Sequence, residues 1–306
     1  QAVAENGPLY CQGPNKIIQC GKELAGLPPA DGIVFRDAHP GNPVIAGVRN
    51  INPAVVNDRA IYNRNAPVRV NPNLDPFDPK NGYNPNGAST YSESFKKRYS
   101  AGQAARMNTL IDLALQRLHE IELSDNPTDD DAFIIPTGDN AKLFQLDLSI
   151  LHSTVKPQKL LKNDGTIVTQ IVESVRVPAP ELAQLNPAFN GGTLFLTVRS
   201  FLSANAIRAW DSIDGIDHCS SNNSTVCAVQ SISVPVLFAT MQGHYFIGDN
   251  EIHYDLAKSK DKDLIVIEGA THGITPCVSC EQFPGQYSNS VKNFFDYVAA
   301  WINARF

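Results

Sequence analysis

A chain of 306 residues, 42% hydrophobic and 18% charged, is long enough for one large core or for a domain carrying a big insertion. A formal charge of -6, with no cluster of Lys and Arg interleaved with aromatics, argues against nucleic acid as a partner. No stretch approaches the roughly 18 uninterrupted apolar residues of a membrane span.

The first residues, QAVAENGPLYC, lack the basic start and apolar core of a signal peptide, so secretion would imply a chain already processed. Ile33–Phe35 in ADGIVFRDAHPGN reads as a short buried strand running into a turn. Residues 41 to 90 are rich in Pro and Asn, which favours order built from turns. The period then becomes helical over about 91–123: Phe95, Tyr99, Ala105, Leu110, Leu113, Leu118 and Ile121 share an apolar face, with Lys96, Lys97, Arg106, Arg117 and Glu120 mostly opposite. His119 on this helix is expected at the surface. AKLFQLDLSILHS and GTIVTQIVESVRVP, around the turn-like KNDG, are expected to form strands or a hairpin. VPVLFATM is a buried strand of parallel type, DNEIHYDLAKSK a helix capped by Asp249, KDLIVIEGATH a second buried strand, and SNSVKNFFDYVAAWINARF a closing amphipathic helix. This order predicts an α/β fold with a mostly parallel sheet.

The six cysteines fall in three close pairs, Cys11 with Cys20, Cys219 with Cys227, and Cys277 with Cys280. Local pairs suit three small disulfide loops, although six cysteines permit about 15 connectivities. A zinc knuckle needs a second Cys-x-x-Cys or a Cys/His set, and a redox dithiol needs a thioredoxin-like βαβ context; both are disfavoured. Asn222 and Asn223 each begin an N-x-[ST] glycosylation acceptor. Together these features favour a secreted, extracellular protein.

VPVLFATMQGHYFIGDNEIHYDLAKSKDKDLIVIEGATHGITPC resembles the C-terminal half of an α/β-hydrolase, where an acid follows the penultimate strand and a histidine the last. LPPADGIVFRDAHPGN is similar to the strand that follows the nucleophile-bearing helix in a subgroup of that superfamily. The resemblance implies a core begun by residues 1–40, a cap-type insertion over 41–205, and completion of the core by 206–306. It implies His272 as general base, with Glu251 as the first choice of orienting acid, Asp249 the second and Asp255 a distant third. An acidic residue near a helix N-terminus is also favoured by the dipole alone. His244 and His39 follow strands at their C-terminal ends and are candidate pocket residues.

The nucleophile elbow G-x-S-x-G does not occur in the sequence. Ser89 in NGASTYS has no strand ahead of it, and Cys11 is better used in a disulfide. The resemblance therefore implies that the first strands of the sheet, the elbow and the oxyanion loop are missing from this chain, with the serine roughly ten to fifteen residues before Gln1. The expectation is the larger piece of a processed secreted esterase or lipase-like serine hydrolase. An N-terminal fragment of the same precursor would supply the serine for a small-molecule ester; an amidase or lactonase using the same triad is compatible with the residues. The chemistry requires no metal or organic cofactor. The alternative is a catalytically inactive α/β-hydrolase-fold secreted binding protein.

Overall fold

The computed structural model describes residues 1–56, 69–136, 141–178, 193–210 and 215–306. The parts of the expected insertion at 57–68, 137–140 and 179–192 lie outside the described residues.

In chain order the helices are α1 (Ala2–Asn6), α2 (Glu93–Glu122), α3 (Leu143–Leu146), α4 (Val198–Ser200), α5 (Thr225–Val229), α6 (Ile247–Leu256) and α7 (Ser290–Asn303). The strands are β1 (Ile33–Arg36), β2 (Ala132–Pro136), β3 (Gln158–Leu161), β4 (Ile167–Gln170), β5 (Thr193–Thr197), β6 (Arg208–Ala209), β7 (Ile216–Asp217), β8 (Val236–Met241) and β9 (Lys262–Ile267). The central sheet has the order β1-β8-β9-β3-β4. Its first four strands run parallel, with Phe35 opposite Phe238, Thr240 opposite Val266, and Leu160 opposite Val266 across the other side of β9. The fold is thus mixed α/β with a mostly parallel sheet.

Every residue of β8 is buried, because helices cover both faces of the sheet. The strand period of two divides them: Leu237, Ala239 and Met241 pack with Phe294 and Trp301 of α7, while Val236 and Phe238 pack with Ala2, Val229 and Ala257 around α1, α5 and α6. A second core lies around α2, where Met107, Leu110, Ile111 and Ala114 meet Val44, Val48, Phe133, Ile135 and Phe201. Ser92 caps α2 by accepting from the Phe95 amide at 3.2 Å.

Three local expectations change. Residues 141–153, expected as strand, begin with the short helix α3 and continue in turns; Leu143, Phe144 and Leu146 are buried without alternating across a sheet. Arg106, expected on the solvent face of α2, is buried, and its guanidinium donates to the carbonyls of Asn52 and Pro136; Ala105 is exposed in its stead, with Ala104 turned inward. Asp249 lies inside the first turn of α6, whose cap position is Phe246. The KNDG turn does form a hairpin, and its strands β3 and β4 join the central sheet beyond β9. All three local cysteine pairs are disulfide-bonded, with Cα separations of 5.5, 5.1 and 5.2 Å. No helix among the described residues is long and apolar enough to cross a membrane.

Candidate functional site

Three loops leave the C-terminal ends of β1, β8 and β9, the edge at which open parallel sheets assemble their sites. The β1 loop begins with Asp37, which is fully buried and sits at φ 43°, an uncommon conformation for a residue with a side chain. Its amide stays in the ladder, donating to Ala239 O at 2.7 Å, while its carboxylate turns toward β8. Asp37 Oδ1 accepts from the Thr240 hydroxyl at 2.9 Å and the Met241 amide at 3.1 Å.

Asp37 Oδ2 faces two imidazoles. His272 Nδ1 is 2.8 Å away in hydrogen-bond geometry. His244 Nδ1 is 2.7 Å away, but its approach falls outside hydrogen-bond geometry and the nitrogen is buried without another partner. The two rings lie 4.7 Å apart at 32°. Burial alone would push the Asp37 carboxyl up, but the contacts with His244, His272 and Thr240 outweigh it and hold the group at about 2. Asp37 is therefore an anion across the neutral pH range.

The His272 loop is a tight hairpin tip closed by pairing of Ala270 with Pro276, by Thr271 N donating to Thr275 O at 2.8 Å, and by contact of the two threonine hydroxyls at 2.9 Å. Two glycines let it seat. Gly269 has φ 58°, and a Cβ there would lie 1.9 Å from the Tyr287 ring. Gly243 donates to Ala270 O at 2.7 Å, and a Cβ would lie 2.7 Å from that same oxygen. The Cys277–Cys280 disulfide follows directly. The His272 side chain is 49% exposed, and its Nε2 accepts no hydroxyl among the described residues.

Tyr245 and Phe246 flank His244 at ring-centroid distances of 3.9 and 4.7 Å, and Phe246 is 5.7 Å from His272. Ile45 and Phe144 pack on Phe246 in a buried apolar cluster behind these rings. His39 Nδ1 accepts from the Gly41 amide at 3.0 Å, and burial together with nearby His272 lowers its proton affinity.

The acids on α6 have different partners. Glu251 is buried; its oxygens accept from the Val155 amide at 2.6 Å, the Lys156 amide at 2.9 Å and Gln158 Nε2 at 2.9 Å. Asp249 takes Arg49 Nη1 on both oxygens at 2.9 and 3.0 Å. Asp255 pairs with Lys156 at 2.6 Å. All three tie Arg49 or residues 155–158 to α6, and the carboxylate that meets His272 is Asp37. Its sequence signal is an aspartate closing a buried strand, whereas the resemblance points to an acid after the penultimate strand.

A serine–histidine contact does occur elsewhere: Ser224 Oγ lies 3.1 Å from His218 Nδ1. Ser224 is buried as the cap of α5, accepting from the Cys227 amide, and burial followed by Arg49 pushes His218 down to about 4. That imidazole is too weak a base, and the hydroxyl too enclosed, for acyl transfer.

Asp37, His244 and His272 together offer one carboxylate oxygen and two imidazole nitrogens within 4.8 Å of one another, a set that could hold a metal ion. No family model, curated protein or solved structure matches the chain.

Proposed function

We propose that the chain is the histidine- and acid-bearing part of a serine hydrolase acting on carboxylic esters, with His272 as general base and Asp37 as the carboxylate that orients it. The observation that carries this reading is the 2.8 Å hydrogen bond from His272 Nδ1 to a buried, ionised Asp37, which leaves Nε2 of a half-exposed ring for chemistry.

In this reading a serine hydroxyl attacks the ester carbonyl carbon while His272 Nε2 takes its proton; the imidazolium, stabilised by Asp37, returns that proton to the departing alkoxide. Water then repeats the cycle on the acyl-enzyme and releases the acid. The serine comes from a polypeptide outside these 306 residues. Strand β1 supports that assignment: Ile33 and Asp37 donate to β8, so the intervening Val34 and Arg36 present their backbone groups to the opposite side, where no strand pairs among the described residues. A parallel strand added there would end level with Asp37. Tyr245, only partly buried beside His244 and backed by the buried cluster of Ile45, Phe144 and Phe246, offers an aromatic face to a small ester.

Three disulfides accord with an extracellular setting. Both sequon amides are engaged, Asn222 Nδ2 with Ile18 O at 2.8 Å and Asn223 Nδ2 with Ala204 O at 3.2 Å, and Asn223 is the more exposed of the two candidate glycan acceptors.

The test is denaturing mass spectrometry of native material after treatment with a fluorophosphonate probe, with and without reduction. A second peptide labelled on a G-x-S-x-G serine, with labelling abolished in His272→Ala, is the expected result. A single unlabelled species overturns the hydrolase reading and favours a binding protein of the same fold.

A further inference from the structure

We propose that Asp37, His244 and His272 form a binding site for a divalent cation of the zinc class, and that its occupation switches off the base. The second half rests on the esterase reading above; the first does not.

Both rings present the same atom, Nδ1, to a single carboxylate oxygen, at 2.7 and 2.8 Å. One hydrogen bond satisfies His272, but His244 Nδ1 is shielded from solvent, in contact with Oδ2 and outside hydrogen-bond geometry. A buried nitrogen in that state costs free energy that a cation between the three atoms would recover. Two imidazoles and one carboxylate suit zinc and its neighbours; Mg²⁺ and Ca²⁺ prefer shells made of oxygen. Tetrahedral zinc at about 2.0–2.2 Å from each ligand spaces the ligand atoms roughly 3.3–3.6 Å apart, so the two contacts to Asp37 Oδ2 need open by about 0.5–0.9 Å, and all three ligand atoms already lie within 4.8 Å of one another. His272, on an exposed hairpin tip, is free to give that distance, and its exposure leaves the fourth position to water.

The inhibition follows from the tautomer. With its Nδ1 proton directed at Asp37, neutral His272 has a lone pair on Nε2. With a metal on Nδ1, the neutral ring carries its proton on Nε2 and cannot accept the serine proton. Cation binding and general-base catalysis are thus alternative states of the same three side chains.

Titration of the intact chain with Co²⁺, followed by its visible absorption, tests the site without reference to activity. The expected result is one equivalent of tetrahedral Co²⁺ displaced by Zn²⁺, lost in both His244→Ala and Asp37→Asn, and kept in His39→Ala. Circular dichroism of each variant confirms folding, and His244→Gln replaces His244→Ala where the latter does not fold. Absence of Co²⁺ absorption at millimolar metal, or its persistence in the His244 variants, overturns the site. In material that labels with fluorophosphonate, Zn²⁺ is expected to slow labelling on the order of a hundredfold, the contribution of a general base, with reversal by chelator. Labelling unaffected by Zn²⁺ in a chain shown to bind it overturns the switch. Metal binding without any labelling, even with chelator present, means that the esterase reading has failed while the site stands.

Discussion

Two places in this molecule bury carboxylates a few residues apart from histidines, and they treat them in opposite ways. At the end of β1, Asp37 spends one oxygen on Thr240 and Met241 and turns the other to two imidazoles, one of them half exposed. On α6, Asp249 and Glu251 spend their side-chain contacts on segments distant in the chain: Arg49 for the first, and Val155, Lys156 and Gln158 for the second. A carboxylate saturated by backbone amides is a clamp. One that leaves an oxygen to a mobile-proton partner can tune chemistry.

Exchanging amide for acid at each place breaks this comparison most sharply. On the proposed hydrolase reading, Asp37→Asn is expected to lower kcat on the order of 10³- to 10⁴-fold and to displace the rising limb of the pH–rate profile, because the amide favours the wrong His272 tautomer. Glu251→Gln should leave that limb in place, and a displaced limb would return Glu251 to the triad. Its effect is on stability, since one amide donor then faces backbone N–H groups.

Asp249→Asn leaves Arg49 without its ionic partner, and urea titration should show a loss of about 3 kcal/mol. Glu251→Gln should cost about 2 kcal/mol by the same measure. A larger change in kcat than in stability for either variant would contradict their role as clamps.

The smallest expected effect concerns His253 on α6, fully buried with neither ring nitrogen bonded. Burial, followed by His218, Arg49 and His39, holds it at about 3 against an ordinary 6.5. Between those values the unfolded chain binds a proton that the folded chain refuses, so this residue makes stability fall as pH drops from 6.5 toward 3. His253→Leu should raise stability by about 1 kcal/mol at neutral pH and flatten that slope in thermal melts taken from pH 7 to pH 4. An unchanged slope would show that His253 has partners in solution.

Much of the fold was legible because its signals are local. VPVLFATM and KDLIVIEG are short apolar runs flanked by turns, and α2 carries its period over eight turns from a serine cap. His272 was legible for the same reason, as a histidine on a glycine-flanked turn after a strand. Asp37 is legible only as an aspartate closing a buried strand: nothing near FRDAHPGN says that β1 lies beside β8, the pairing that brings its carboxylate to His272. Arg106 and the joining of β3 to β9 were hidden likewise, since each depends on which distant segment packs alongside. Glu251 is pointed to by the resemblance alone, and its carboxylate meets Val155, Lys156 and Gln158, partners about a hundred residues away that no local pattern announces.

The pairing of β1 with β8 has a kinetic side. Thr240 and Asp37 are 203 residues apart in the chain, and His272 and Asp37 are 235 apart. Closing a loop of that size costs only about 2 kcal/mol more entropy than closing one a tenth as long, so the native pairing is affordable. It is slow to find, however, because contacts at long sequence separation come late in folding. The carboxylate and imidazoles meet only when the intervening chain has condensed. A nascent or partly unfolded chain therefore holds all three residues and none of their chemistry, and restoration of the Asp37–His272 contact would report completion of the fold.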